Sequence, residues 1–232
     1  MNKHIFCRFF YLFVGMYLVS EAQAFEVSKM GNKELKWPVP HVTYQVNTSS
    51  GPAGAAAAFR AAMITWSTVP GSAFQFTYAE TTQSGDAGDG QNVCSFGNLG
   101  SGDTLAYNSY WFNSSGQMSE SDIVVNSYYQ WSTKGEANRF DLQSTVTHEM
   151  GHALSLEDLY GNDDVDKTMY GYTGMGETGG RTLHPDDMDG IAYLYPGSPV
   201  QGDPVVPVPV VSDPDDLALT TVGDYDGYFY VA

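Results

Sequence analysis

The sequence predicts an α+β fold built from five strands and three main helices, and three observations point to it. Five short segments are rich in β-branched and aromatic residues and alternate or run apolar, as strands do. Three longer segments carry apolar residues at helical spacing. Clusters of Gly, Pro, Ser and Asp separate the two kinds of segment, as turns do.

Taken in order, His41–Asn47 alternates and is β-branched, so it reads as the first strand. Ser49-Ser50-Gly51-Pro52 supplies a turn, and Gly54–Thr68 follows as an Ala-rich helix carrying Phe59, Met63, Ile64 and Trp66. Ala73–Tyr78 is the second strand, and 84–90 is a Gly- and Asp-rich loop. Gln91–Leu99, Leu105–Phe112 and Met118–Asn126 are the third, fourth and fifth strands. Phe140 to about Leu156 reads as the second helix, with Asp141 as its N-cap and Leu142, Val146, Met150, Ala153 and Leu154 as its apolar stripe. His184-Pro185-Asp186-Asp187 opens the last helix, which runs to about Tyr195, with proline and two acids favourable in a first turn.

The flanks have a different composition. Residues 1–24 read as a signal peptide: Lys3 and Arg8 precede an apolar run, and Ala22-Gln23-Ala24 fits a small-x-small cleavage site, so the mature chain is expected to start at Phe25. The expected location is therefore secreted, extracellular or periplasmic, with no transmembrane segment in the mature form. Five prolines from Pro199 to Pro214 mark 197–215 as a linker, and 216–232 as a short C-terminal tail. The formal charge of −17, with only 10 Lys and Arg, argues against nucleic acid and anionic membranes as partners. Of two cysteines, Cys7 lies in the leader and Cys94 in an apolar strand, so no internal disulfide is expected in the mature chain.

The chemistry is concentrated in His148-Glu149-Met150-Gly151-His152, an H-E-x-x-H motif on the second helix. Residues four apart share a helix face, so two imidazoles can meet one metal ion while Glu149 reaches a water beside it. A catalytic zinc takes three protein ligands and keeps one position open. Glu157, Asp158, Glu177, His184 and the Asp163, Asp164, Asp166 cluster are all downstream candidates for the third.

From His148 to Asp158 the chain resembles the metzincin peptidases, and within them the matrixins, including their bacterial secreted relatives. Asp158 stands six residues after His152, where that family places its third ligand. Thr168-Met169-Tyr170 is similar to the Met-turn beneath the metal, and Leu183–Tyr195 resembles the family's last helix. The resemblance covers roughly 36–196. It implies a zincin-like catalytic domain over 25–196 on a twisted, mostly parallel five-stranded sheet, with His148, His152 and Asp158 on zinc and Glu149 as general base. Asp187 and Asp186 would then hold the Met-turn and the chain start, and Tyr170 and Tyr172 would be near the cleft. Two positions depart from the family pattern. Asp158 replaces histidine, and Ser155 replaces the glycine that lets the chain leave the helix, so a positive φ there would cost on the order of 1 kcal/mol.

The expected protein is thus a monomeric secreted zinc endopeptidase acting on proteins or peptides. An edge strand near Leu105–Phe112 or Met118–Asn126 would align the substrate, and the Gly-rich loop 171–182 would shape the pocket after the scissile bond. Calcium is a further candidate cofactor, through Asp86, Asp89, Asp163, Asp164 and Asp166. The family's second, histidine-rich zinc site and its cysteine-switch segment are not expected. The alternatives are a gluzincin-type peptidase with Glu177 as third ligand, and a non-catalytic secreted binding protein on a zincin fold.

Overall fold

The computed structural model describes residues 25–198 and 229–230. The leader 1–24 lies outside the described residues, as do the linker and tail apart from 197–198 and 229–230. Five strands form the main sheet: β1 (His41–Val46), β2 (Gln75–Thr81), β3 (Asn92–Gly97), β4 (Ala106–Phe112) and β5 (Met118–Asn126). Their spatial order is β2-β1-β3-β5-β4. The three pairings from β2 to β5 are parallel, and β4 alone runs antiparallel, against β5. Helices α1 (Ala55–Ser67), α2 (Leu142–Ala153) and α3 (Pro185–Leu194) complete the mixed α/β architecture.

The pleat of β1 explains its alternation: Val42, Tyr44 and Val46 are buried, while His41 and Thr43 are exposed. β5 is almost continuously buried because a strand covers each of its edges. It is therefore not an edge strand; that position belongs to β4 on one side and β2 on the other.

β5 also carries two buried carboxylates, and the loop 84–91 and the start of β3 satisfy them. Asp122 accepts backbone N–H bonds from Ala87 (2.9 Å) and Val93 (2.8 Å). Glu120 accepts from Asp89 (3.0 Å) and Gly90 (2.7 Å). Burial pushes the Asp122 carboxyl up to about 6, against the lowering effect of those bonds. Cys94 is buried on β3 with its thiol pushed up by the same cause, an inert core residue as expected.

Helix α1 crosses from β1 to β2 and backs α2. Trp66, fully buried, donates its indole N–H to Thr147 O at 2.7 Å. Helix α2 is shorter than its apolar stripe predicts. Phe140–Asp141 forms a short parallel pairing with Trp131–Ser132, and Asp141 caps the helix by accepting from Ser144 N at 2.9 Å. At the other end the chain leaves the helix after Ala153. Trp37 then donates its indole N–H to Ala153 O at 2.7 Å, covering one of the carbonyls the helix end would orphan. The segment 229–230 pairs antiparallel with Tyr172–Thr173.

Replacing Trp66 with Ala removes a fully buried ring and the bond to Thr147. The expected loss is about 3–5 kcal/mol of unfolding free energy, read from urea denaturation, with the midpoint falling accordingly.

Candidate metal centre

Helix α2 turns His148 and His152 to one face, with ring centroids 4.8 Å apart and Nε2 atoms 3.1 Å apart. Each ring is held from behind. His148 Nδ1 lies 2.7 Å from Thr168 O, and His152 Nδ1 lies 2.8 Å from Leu156 O. A carbonyl can only accept, so both Nδ1 atoms carry the hydrogen and both Nε2 atoms present lone pairs.

The chain then brings a carboxylate to those lone pairs. Leu156 N–H bonds Gly151 O at 2.9 Å and Ser155 N–H bonds His152 O at 2.8 Å, the two bonds of a Schellman helix end. That motif needs a left-handed residue, and Ser155 supplies it at φ 77°, the only non-glycine with positive φ among the described residues. The departure from glycine has therefore kept the turn and accepted the strain. Asp158 follows, with Oδ1 3.0 Å from His148 Nε2 and 3.5 Å from His152 Nε2. Its other oxygen accepts from Tyr160 Oη at 3.0 Å, a contact no sequence signal announced.

Three acceptor atoms thus converge with no hydrogen between them, and no donor reaches Asp158 Oδ1. Ligand atoms of His148, His152 and Asp158 all lie within 4.8 Å of one another. Such a set calls for a cation. Without a metal ion a proton takes that place: burial works to lower the His152 pKa, yet Asp158 as an acceptor for Nε2–H and the charges of Glu149 and Asp158 raise it to about 9. Burial likewise works to raise the Asp158 pKa, but protonated rings of His148 and His152 beside it would hold it well below the usual carboxylate range. Two nitrogens and one carboxylate oxygen suit zinc. Beside them Glu149 is fully buried, both of its oxygens lack a partner, and burial pushes its pKa up to about 8.

The family model for matrixins matches residues 33–196. The chain belongs to the matrixin family. It is a zinc-dependent metalloendopeptidase, a hydrolase of peptide bonds, with a metzincin catalytic fold. A comparison with individually curated proteins returns no match.

The remaining matrixin features can be placed. Met169 is buried, with its sulfur against Gly151 of α2, where any Cβ would overlap it. This explains a glycine in the middle of a helix despite its poor helix propensity. Asp187, at the start of α3, accepts from Thr168 N (2.8 Å), Met169 N (3.2 Å) and His184 N (3.1 Å). It therefore fixes the carbonyl that orients His148. Asp186 pairs with Lys167 at 2.9 Å. His184 caps α3, accepting from Asp186 N at 3.2 Å, and stands apart from the three converging ligand atoms.

Glu177 also stays outside that group. Its Oε2 accepts from Gly174 N (2.9 Å) and Thr173 Oγ1 (3.3 Å). The aspartates weighed for calcium are engaged with protein donors where bonds form: Asp86 with Tyr107 Oη at 2.7 Å, Asp89 with Gln91, and Asp164 with Lys167 at 2.8 Å. From the edge strand β4, Asn108 donates to Glu149 O at 3.2 Å and accepts from Ser121 Oγ, which in turn accepts from Tyr44 Oη at 2.7 Å. This buried relay ties α2 to the sheet. A cavity of about 320 Å³ opens beside His148, walled by α2, Tyr170 to Thr173 and Glu177 to Gly180. No helix among the described residues is long and apolar enough to cross a membrane.

Ser155→Gly relieves the left-handed strain and removes a buried hydroxyl that has no partner. The variant is expected to be about 1 kcal/mol more stable, measured as a raised midpoint in denaturant unfolding.

Proposed function

We propose that the protein is a secreted endopeptidase in which His148, His152 and Asp158 hold Zn²⁺ and Glu149 is the general base. The observation that carries this reading is the convergence of three lone pairs beside a buried, unpartnered carboxylate. When bound, the zinc polarises the scissile carbonyl and lowers the pKa of a water toward neutrality. Glu149 takes the proton of that attacking water and then delivers it to the leaving amine. Its environment suits both tasks, because both of its oxygens are buried without a protein partner and are free to accept and return that proton.

The substrate would be held as an extended strand. β4 is a sheet edge next to α2, with one row of backbone groups unpaired within the sheet, so a peptide can add to it. The side chain after the scissile bond would enter the cavity beside His148, shaped by the loop 171–182. The positively charged, apolar leader and its Ala22-Gln23-Ala24 site support export, with Phe25 as the first residue of the exported protein.

Glu149→Gln is expected to keep one zinc per chain while lowering kcat/KM on a protein substrate by about 10²–10⁴-fold. Full activity in this variant would remove Glu149 from the mechanism. Asp158→Ala is expected to lose bound zinc, read by metal analysis after gel filtration. Retention of both zinc and activity would place the third ligand elsewhere.

A further inference from the structure

We propose that the cavity beside His148 selects a lysine or arginine side chain at the substrate residue that follows the scissile bond. The proposal rests on the peptidase reading above and concerns which peptides that site accepts.

The cavity, about 320 Å³, has room for a long side chain, and beside Tyr170 and Tyr172 its lining is mostly polar. No Leu, Ile, Phe or Met lines it. Its single aliphatic residue, Val165, is 54% exposed and so belongs to the rim. Hydroxyls take the place of methyls: Ser144, Thr145, Thr168 and Thr173 all contribute. Three of these are already bonded within the protein, to Asp141, Thr182 and Glu177. Thr145 is not. It is 2% exposed, and its Oγ1 is buried without a partner behind the cavity wall. Gly179 and Gly180 leave main chain rather than side chain along one wall.

The charges choose among polar guests. Asp166 and Glu177 line the cavity at its exposed rim, as Val165 does, and both are acidic. Glu177 is held in place through Gly174 N and Thr173 Oγ1, so its charge is positioned before substrate arrives. Lys167 is the one cationic side chain of the lining, and its ammonium is shared by Asp164 (2.8 Å) and Asp186 (2.9 Å). One ammonium against the carboxylates of Asp164, Asp166, Glu177 and Asp186 leaves the region strongly negative. An aliphatic guest would bury these groups without pairing them, and an acidic guest would meet like charge. An ammonium or guanidinium group supplies both the charge and the donors.

The test uses the zinc-loaded protein and peptides identical except for Leu, Gln, Lys, Arg or Glu after the scissile bond, with cleavage sites fixed by mass spectrometry. The Lys and Arg peptides are expected to show kcat/KM about ten-fold above the Gln peptide, with Leu lower still and Glu lowest. In Asp166→Asn/Glu177→Gln the Lys-to-Gln ratio is expected to shrink by about five-fold, whereas Glu177→Asp keeps most of it. A merely structural role for these acids would change all peptides alike and leave that ratio in place, which would overturn the proposal. So would a Leu peptide cleaved as fast as the Lys peptide, with the peptidase reading left standing. Cleavage of no peptide by zinc-loaded protein would overturn that reading and the proposal with it.

Discussion

Asp187 is the small interaction on which the metal site depends. Its carboxylate is 1% exposed and accepts three backbone N–H bonds, from Thr168, Met169 and His184. Those bonds hold the turn 168–169 against α2, and the turn holds His148. Once Thr168 O accepts from Nδ1, the tautomer of His148 is decided and its Nε2 lone pair faces outward. A buried carboxylate with three donors satisfies itself while fixing the backbone of another segment. Helix α3 thereby sets the orientation of His148, 39 residues before its own anchor.

The end of α2 is the second constraint. The Schellman bonds at Gly151 and His152 reverse the chain so that Leu156 O reaches His152 Nδ1 and Asp158 comes back to both rings. Ser155 bears a left-handed backbone to make this turn, and its buried hydroxyl has no partner. The surroundings hold it there. Ser28 N–H bonds Ser155 O at 2.8 Å, Glu157 N–H bonds Glu26 O at 3.0 Å, and Trp37 covers Ala153 O. The N-terminal segment thus works as a strap over the helix end, which is how an over-determined structure keeps a strained residue in place.

Much of this was legible in the sequence because it is local. The alternation of β1, the stripe of α2, the cap at Asp141 and the first turn of α3 depend on residues a few positions apart. His148, Glu149 and His152 follow from helix geometry alone. Sheet order does not, and β5 could not be told from an edge until its neighbours were known. The acids of β5 were opaque for the same reason. Alternating carboxylates on a strand suggest a solvated face, whereas Glu120 and Asp122 are buried under a loop whose N–H groups they bind. Trp37, Trp66 and Asn108 reach α2 from distant segments, and no spacing rule connects them to it.

The site itself is built against stability. Glu149 is fully buried without a partner, and three acceptors face one another a few ångströms away. Leaving such groups unpaired costs several kcal/mol in a folded protein. The offset comes from the packing behind them: Trp66 against Thr147, Met169 against Gly151, and the relay from Tyr44 through Ser121 and Asn108 to the backbone of Glu149. The fold therefore separates its two demands within one helix. One part of α2 is packed and bonded, and the other keeps lone pairs and an unpaired carboxylate facing one another.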